Sequence, residues 1–303
     1  MRTERTTQPN LPPAQDAGSS ERGPRANQPV PARRTRDPAS PPDASTLGPG
    51  LRLLGPRVRS HVYLLYGVLR TLDDLVDDDR PTAPERIEAV ERWARGEDAD
   101  SPETRILTDL CARTDLSREP LATFCAGMRH DIARGVLETE GDLEIYCERA
   151  GGSVGIMLAQ LLGMSDIACE SKMAALGRAM QRTNIIRDID EDAAHGRTYI
   201  TRATIERFGA PYAGAREQLV RDQIARADEL FEEARGGLAL LRSGRRGMTL
   251  CTALYREILR QIERDGFGRE PGRVVVPAWR RSLIIARHAV SPSPATLPSR
   301  ESR

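Results

Sequence analysis

Lysine is almost missing from this chain: Lys172 is the only one, and every other basic side chain is arginine. The charges nearly cancel, with 45 basic against 44 acidic residues and a net charge of +1. No global field therefore draws the chain to nucleic acid. Arg33, Arg34 and Arg36 form a small basic run, but few aromatics accompany it to stack on bases, and no nucleic-acid partner is expected. Five cysteines, Cys111, Cys125, Cys147, Cys169 and Cys251, include no C-x-x-C pair and suit neither zinc nor a disulfide framework. They read as small apolar residues in a reducing, cytoplasmic setting. No run reaches the roughly 18–20 apolar residues of a bilayer span, and the amino terminus lacks the apolar run of a secretory signal. Peripheral, transient membrane contact, to find or release a greasy ligand, stays open. Sustained strand alternation is also missing; Val274, Val275 and Val276 form the one short β-branched run.

What the chain has is helical periodicity. Residues 1–50 hold 10 of the 21 prolines without an apolar pattern, and read as a disordered Pro/Arg-rich extension. From Leu51 apolar residues recur at spacings of three and four, as in Leu65, Leu69, Leu72 and Val76. The pattern predicts helices over 56–77, 84–95, 101–112, 118–138, 141–163, 167–193, 201–207, 211–241 and 247–264. One all-α domain is expected over 51–290, with 291–303 a flexible tail.

Two segments carry chemistry. In LRTLDDLVDDD, residues 69–79, Asp73 and Asp77 share one helical face, and Asp74 and Asp78 share the next. Such a face is either a solvated helix end or a carboxylate site for a hard divalent cation, whose like-charge repulsion the ion offsets. In QRTNIIRDIDEDAAHGRTYI, residues 181–200, Asn184, Asp188 and Asp192 stand at i, i+4 and i+8. That oxygen-bearing stripe suits Mg²⁺ shared with a ligand and water, or is a plain polar face. Arg187 and Arg197 lie within reach of phosphate oxygens. Gly196 can end the helix and turn Arg197 and Tyr199 back toward the stripe. Two carboxylate faces across a cleft repel strongly unless cations and a diphosphate come between them. The turn AGGSVG, residues 150–155, suits close helix packing or backbone exposed to a ligand.

These segments resemble the squalene/phytoene synthase family. YGVLRTLDDLVDD is similar to its first aspartate motif, and NIIRDIDED followed by GRTY to its second. GMRHD at 127–131 and YCERAGGSVG at 146–155 lie between them in the family's order. The resemblance covers about residues 51–290. It implies an isoprenoid synthase-type helical bundle around a central cavity, with about three Mg²⁺ ions. It implies Asp73, Asp77, Asn184, Asp188 and Asp192 as metal ligands. Arg70, Arg187, Arg197, Gln181, Gly152 and Val154 are implied to meet substrate, and Tyr146 and Tyr199 to join the four aspartates in catalysis. The activity implied is head-to-head condensation of two identical allylic diphosphates, from farnesyl to squalene or dehydrosqualene, or from geranylgeranyl to phytoene. NADPH is implied only for a squalene-type reduction. The chain departs from the pattern at LRLLGPRVR, residues 51–59, at Ala150-Gly151-Gly152, and at Thr201 in place of proline. Those departures keep an alternative open: a terpene cyclase using one diphosphate, or a transferase to an unlike acceptor. A non-catalytic helical partner is a further alternative.

Overall fold

Twelve α-helices follow one another in the computed structural model, which describes residues 45–164 and 167–290. The expectations for residues 1–44 and 291–303 lie outside that range. The helices are α1 (Gly48–Leu51), α2 (Pro56–Asp77), α3 (Ala83–Ala94), α4 (Pro102–Arg113), α5 (Glu119–Ile132) and α6 (Glu140–Cys147). After a π-helical turn, Glu148–Gly152, come α7 (Ser153–Leu162), α8 (Ile167–Ala194), α9 (Arg202–Phe208), α10 (Glu217–Glu233), α11 (Arg245–Arg264) and α12 (Ala278–Val290). No strand occurs among the described residues, only an isolated bridge between Met164 and Leu241.

Local chemistry explains several starts. Ser101 caps α4 by accepting from the Thr104 amide at 3.2 Å, with Pro102 next, where its missing N–H costs nothing. Thr139 and Asp142 form the same reciprocal box at α6. Thr201 caps α9 by accepting from the Thr204 amide at 3.1 Å.

Helix α8 is the axis of the fold, packed against α6, α7, α10 and α11. Its first half is apolar on several sides, through Met173, Ala174, Ala175, Leu176 and Ala179, as a surrounded helix must be. The glycines of AGGSVG let it come close to its neighbour. A Cβ on Gly177 would lie 2.1 Å from the Gly151 carbonyl oxygen, and one on Gly155 would lie 2.0 Å from that of Met173. Arg182, midway along α8, is fully buried, and its charge is met by Glu140 at 3.1 Å, by Glu144 and by the Gln223 amide oxygen at 2.5 Å. These contacts lock α8 against α6 and α10.

Four boundaries differ from the sequence reading. Helix α5 stops at Ile132, not 138, because Arg134 takes φ 47° and Gly135 bonds back to the His130 carbonyl. The run read over 211–241 keeps α-helix only over Glu217–Glu233, preceded by a turn at 213–215 and followed, after Gly236 at φ 84°, by a 3-10 turn at Gly237–Leu240. Residues 278–290, outside the helices read from the sequence, form α12. The helical domain also starts before Leu51: Gly48 and Gly50 are buried, and the Cys251 thiol donates to the Leu47 carbonyl at 3.5 Å.

Candidate active site

The two acidic segments occupy the carboxyl ends of α2 and α8, and those ends meet. Helix α8 closes with Gly196 at φ 69°, while the amides of Gly196 and Arg197 bond back to the carbonyls of Ala193 and Asp192. That left-handed cap reverses the chain. It aims Arg197 at α2, where its guanidinium pairs with the Asp77 carboxylate and donates to the Val76 carbonyl at 2.6 Å. Helix α5 joins the same end. Arg134 donates to Asp79 at 2.8 Å and to the His195 carbonyl at 2.9 Å. Asp79 and Arg134 both hold positive φ, 49° and 47°, a conformation that disfavours side chains by about 1 kcal/mol or more each.

On α2, Arg70 reaches Asp73 at 2.8 Å and Asp74 at 2.7 Å. On α8, the stripe holds Gln181, Asn184, Asp188 and Asp192 on one side of the helix, while Ile185, Ile186 and Ile189 are buried. Arg187 wraps around to bind Asp188 through two bonds, at 2.8 and 2.5 Å. The structure thus brings together Arg70, Asp73, Asp77, Asp188, Asp192, Arg187 and Arg197.

Electrostatics place the two acidic faces opposite each other. Burial pushes the Asp73 carboxyl up to about 7, with Asp77 adding to the shift. Burial also pushes Asp192 up to about 7, helped by Asp188 on its own helix and by Asp77 on the other. Among the described residues no three His, Cys, Asp or Glu side chains converge on a single point. The donors stand on two helices instead, with Asp77 in electrostatic reach of Asp192, an arrangement that ligand oxygens would complete.

One more atom fits a cation. Asn184 Oδ1 is buried without a hydrogen-bond partner, while the Asn184 side chain hydrogen-bonds to the buried Tyr255 hydroxyl. A neutral oxygen with no donor, in register with two carboxylates, is a suitable ligand for Mg²⁺.

Tyr146 and Tyr199 stack with ring centroids 4.8 Å apart, and both hydroxyls donate to Asp131, at 3.1 and 2.8 Å. Burial raises both phenols and Asp131 raises them further, so they stay protonated donors. Burial pushes Asp131 itself up to about 6 despite those two bonds. Gly152 is buried in the π-helical turn, where a Cβ would meet only the flexible end of Glu148, and Val154 is half-buried at the start of α7.

Sequence reasoning missed two residues here. Asp131 lay in the GMRHD motif without a role, and its partners stand 15 and 68 positions away. Arg273 follows α11 and approaches Asp188 at 3.4 Å and Glu191 at 2.6 Å. Its only signal was an arginine beside the valine run.

Comparison with known proteins shows the family. The family model for squalene/phytoene synthase matches residues 49–280. The chain belongs to the squalene/phytoene synthase family. It is 30% identical to a 15-cis-phytoene synthase of Synechocystis sp., over 80% of each chain. It is 34% identical to a presqualene diphosphate synthase of Zymomonas mobilis, across 54% of this chain and 58% of that protein. Among solved structures, a dehydrosqualene synthase in complex with ligand superposes with a TM-score of 0.72 at 27% identity, covering 80% of this chain and 90% of that one. The isoprenoid-synthase fold expected from the sequence is thereby established.

Proposed function

We propose that this member of the squalene/phytoene synthase family condenses two identical allylic prenyl diphosphates head to head, with Mg²⁺ as its cofactor. The observation that carries the reading is the confrontation of Asp73 and Asp77 with Asp188 and Asp192 within a ring of arginines. Asp73, Asp77, Asn184, Asp188 and Asp192 would hold Mg²⁺, which neutralises diphosphate and makes it a better leaving group.

The chain's own residues supply the rest. Arg70, Arg187 and Arg197 present guanidinium donors to diphosphate oxygens that gain negative charge as the C–O bond breaks. The bonding pair leaves with diphosphate. The allylic cation is attacked by a double bond of the second substrate, and loss of a proton closes a cyclopropane that still carries one diphosphate. Loss of that second diphosphate and rearrangement give a second cation, which becomes the hydrocarbon by losing a proton (phytoene or dehydrosqualene) or by accepting hydride from NADPH (squalene). Tyr146 and Tyr199, fixed by Asp131, would offer ring faces that stabilise a cation without trapping it. Gln181 extends the α8 stripe by one turn, and Gly152 and Val154 would meet the prenyl chain.

The test is to incubate the protein and Mg²⁺ with farnesyl or geranylgeranyl diphosphate separately, with and without NADPH, and to read the products by mass spectrometry. A C30 or C40 hydrocarbon supports the proposal. A C15 or C20 product, or none without an added acceptor, favours the cyclase or transferase.

A further inference from the structure

Four of the eight large apolar side chains exposed among the described residues lie on two neighbouring segments: Tyr212, 74% exposed, with Val275, 66%, Trp279, 61%, and Leu283, 64%. The segments are tied together beside the acidic cleft. The Gly214 amide donates to the Gly268 carbonyl at 3.2 Å. Arg216 and the Gly272 amide both bond to Asp190, at 2.6 and 2.7 Å. On α12, Trp279 and Leu283 stand four apart on one face, while Ile284 and Ile285 turn partly inward.

The segment's own charge has one sign, although Arg273 and Arg280 have acidic partners on α8 and α11, Arg280 in Glu257 at 3.7 Å. From Pro271 to Val290 there is no acidic residue, and Arg273, Arg280, Arg281 and Arg287 are interspersed with the apolar ones. Arg280 lies 4.6 Å over the Trp279 ring, and Arg281 and Arg287 are exposed. The same segment begins at the cleft, since Arg273 reaches Asp188 and Glu191 and the Val274 amide donates to the Arg187 carbonyl at 3.4 Å. Exposed tryptophan, tyrosine and leucine among arginines, on a short helix too polar to insert, is the composition of an interfacial surface. No described helix is long and apolar enough to cross a membrane.

We infer that the exposed face of α12, with Val275 and Tyr212 beside it, docks on a lipid bilayer bearing anionic headgroups. Its purpose rests on the functional reading: a hydrocarbon made at the cleft reaches the bilayer along the segment that leads there from Arg273. Trp279 and Leu283 sit at the headgroup level, while Arg281 and Arg287 meet lipid phosphates. Each arginine near such a surface contributes about 1 kcal/mol, so two or three give at least about tenfold preference over neutral lipid.

The two tryptophans make the test direct, because Trp93 is buried at 5% and Trp279 is exposed. The full chain would be mixed with phosphatidylcholine vesicles with or without phosphatidylglycerol, and read by co-flotation and tryptophan emission. The expected result is partition onto the anionic vesicles, at least about tenfold over neutral ones and weakened by salt, with a blue shift. Trp279→Phe should abolish the shift while keeping most of the binding. Trp279→Ser with Leu283→Ser should lower partition at least about tenfold, while turnover of detergent-dispersed substrate is unchanged. No partition, or equal partition on both lipids, overturns the proposal. So does shielding of Trp279 from acrylamide before vesicles are added, because it means that protein covers the face. Partition without turnover of any prenyl diphosphate supports the surface and counts against the functional reading. Turnover without partition overturns the surface alone.

Discussion

Arg197 pairs with Asp77 and donates to the Val76 carbonyl, so a residue just past α8 clasps the last turn of a helix 120 positions earlier. Its side chain is only 9% exposed. Replacing it with lysine keeps the charge but loses the planar fork. Arg197→Lys should lower kcat about tenfold, and Arg197→Ala about 10²-fold or more, with helical circular dichroism unchanged. Wild-type kcat in the lysine variant would show that the forked geometry is not used.

Asp188 is held by Arg187 and approached by Arg273, yet it belongs to the polar stripe and not to the core. Asp188→Ala should therefore reduce Mg²⁺-dependent turnover about 10²–10³-fold, while the melting temperature stays within a few degrees of wild type. Full rate in that variant would remove Asp188 from the metal site.

Asp73 and Asp192 have carboxyls raised to about 7, and Asp131 to about 6, all with burial as the first cause. The folded protein thus binds more protons than the unfolded chain between about pH 4 and 7. The stability these groups contribute is present at the acid end of that window and is lost as pH rises through it. In EDTA, Tm should fall from about pH 5.5 to about pH 7.5. Mg²⁺ with diphosphate should restore it at the higher pH and do little at the lower one, because the ligands must be ionised. A Tm that rises with pH in EDTA contradicts the placement of these acids.

Gly177 and Gly152 should behave oppositely. A Cβ on Gly177 meets the Gly151 carbonyl oxygen at 2.1 Å, while one on Gly152 meets only the carboxylate end of Glu148, at 2.6 Å. Backbone has to move in the first case and a flexible side chain in the second. Gly177→Ala should cost about 3 kcal/mol or prevent folding, and Gly152→Ala about 1 kcal/mol or less. Urea denaturation would rank them, and equal costs would mean that the π-helical turn and α8 pack more loosely than described.

Much of the fold was legible because helix α2, α3, α4 and α8 carry their apolar spacing and their stops in consecutive residues. Gly196 announced the reversal that brings Arg197 back, and the α8 stripe could be counted from Asn184 onward. Other features depend on distant partners. The end of α5 is set by Arg134 in a left-handed conformation, stabilised by Asp79 and the His195 carbonyl, which no local pattern signals. Asp131 gains its place only when Tyr146 and Tyr199 stack above it, and Arg273 only when the chain returns to α8. Helix α12 was hidden because its apolar residues face both ways, Trp279 and Leu283 outward and Ile284 and Ile285 partly inward, directly after a valine run.

The central claim is that two identical chains join in each turnover. A one-to-one mixture of unlabelled and fully deuterated prenyl diphosphate, supplied with Mg²⁺, tests it in one mass spectrum. Head-to-head condensation predicts three product masses near one to two to one, with two diphosphates released per hydrocarbon. Two masses and one diphosphate per product would contradict it.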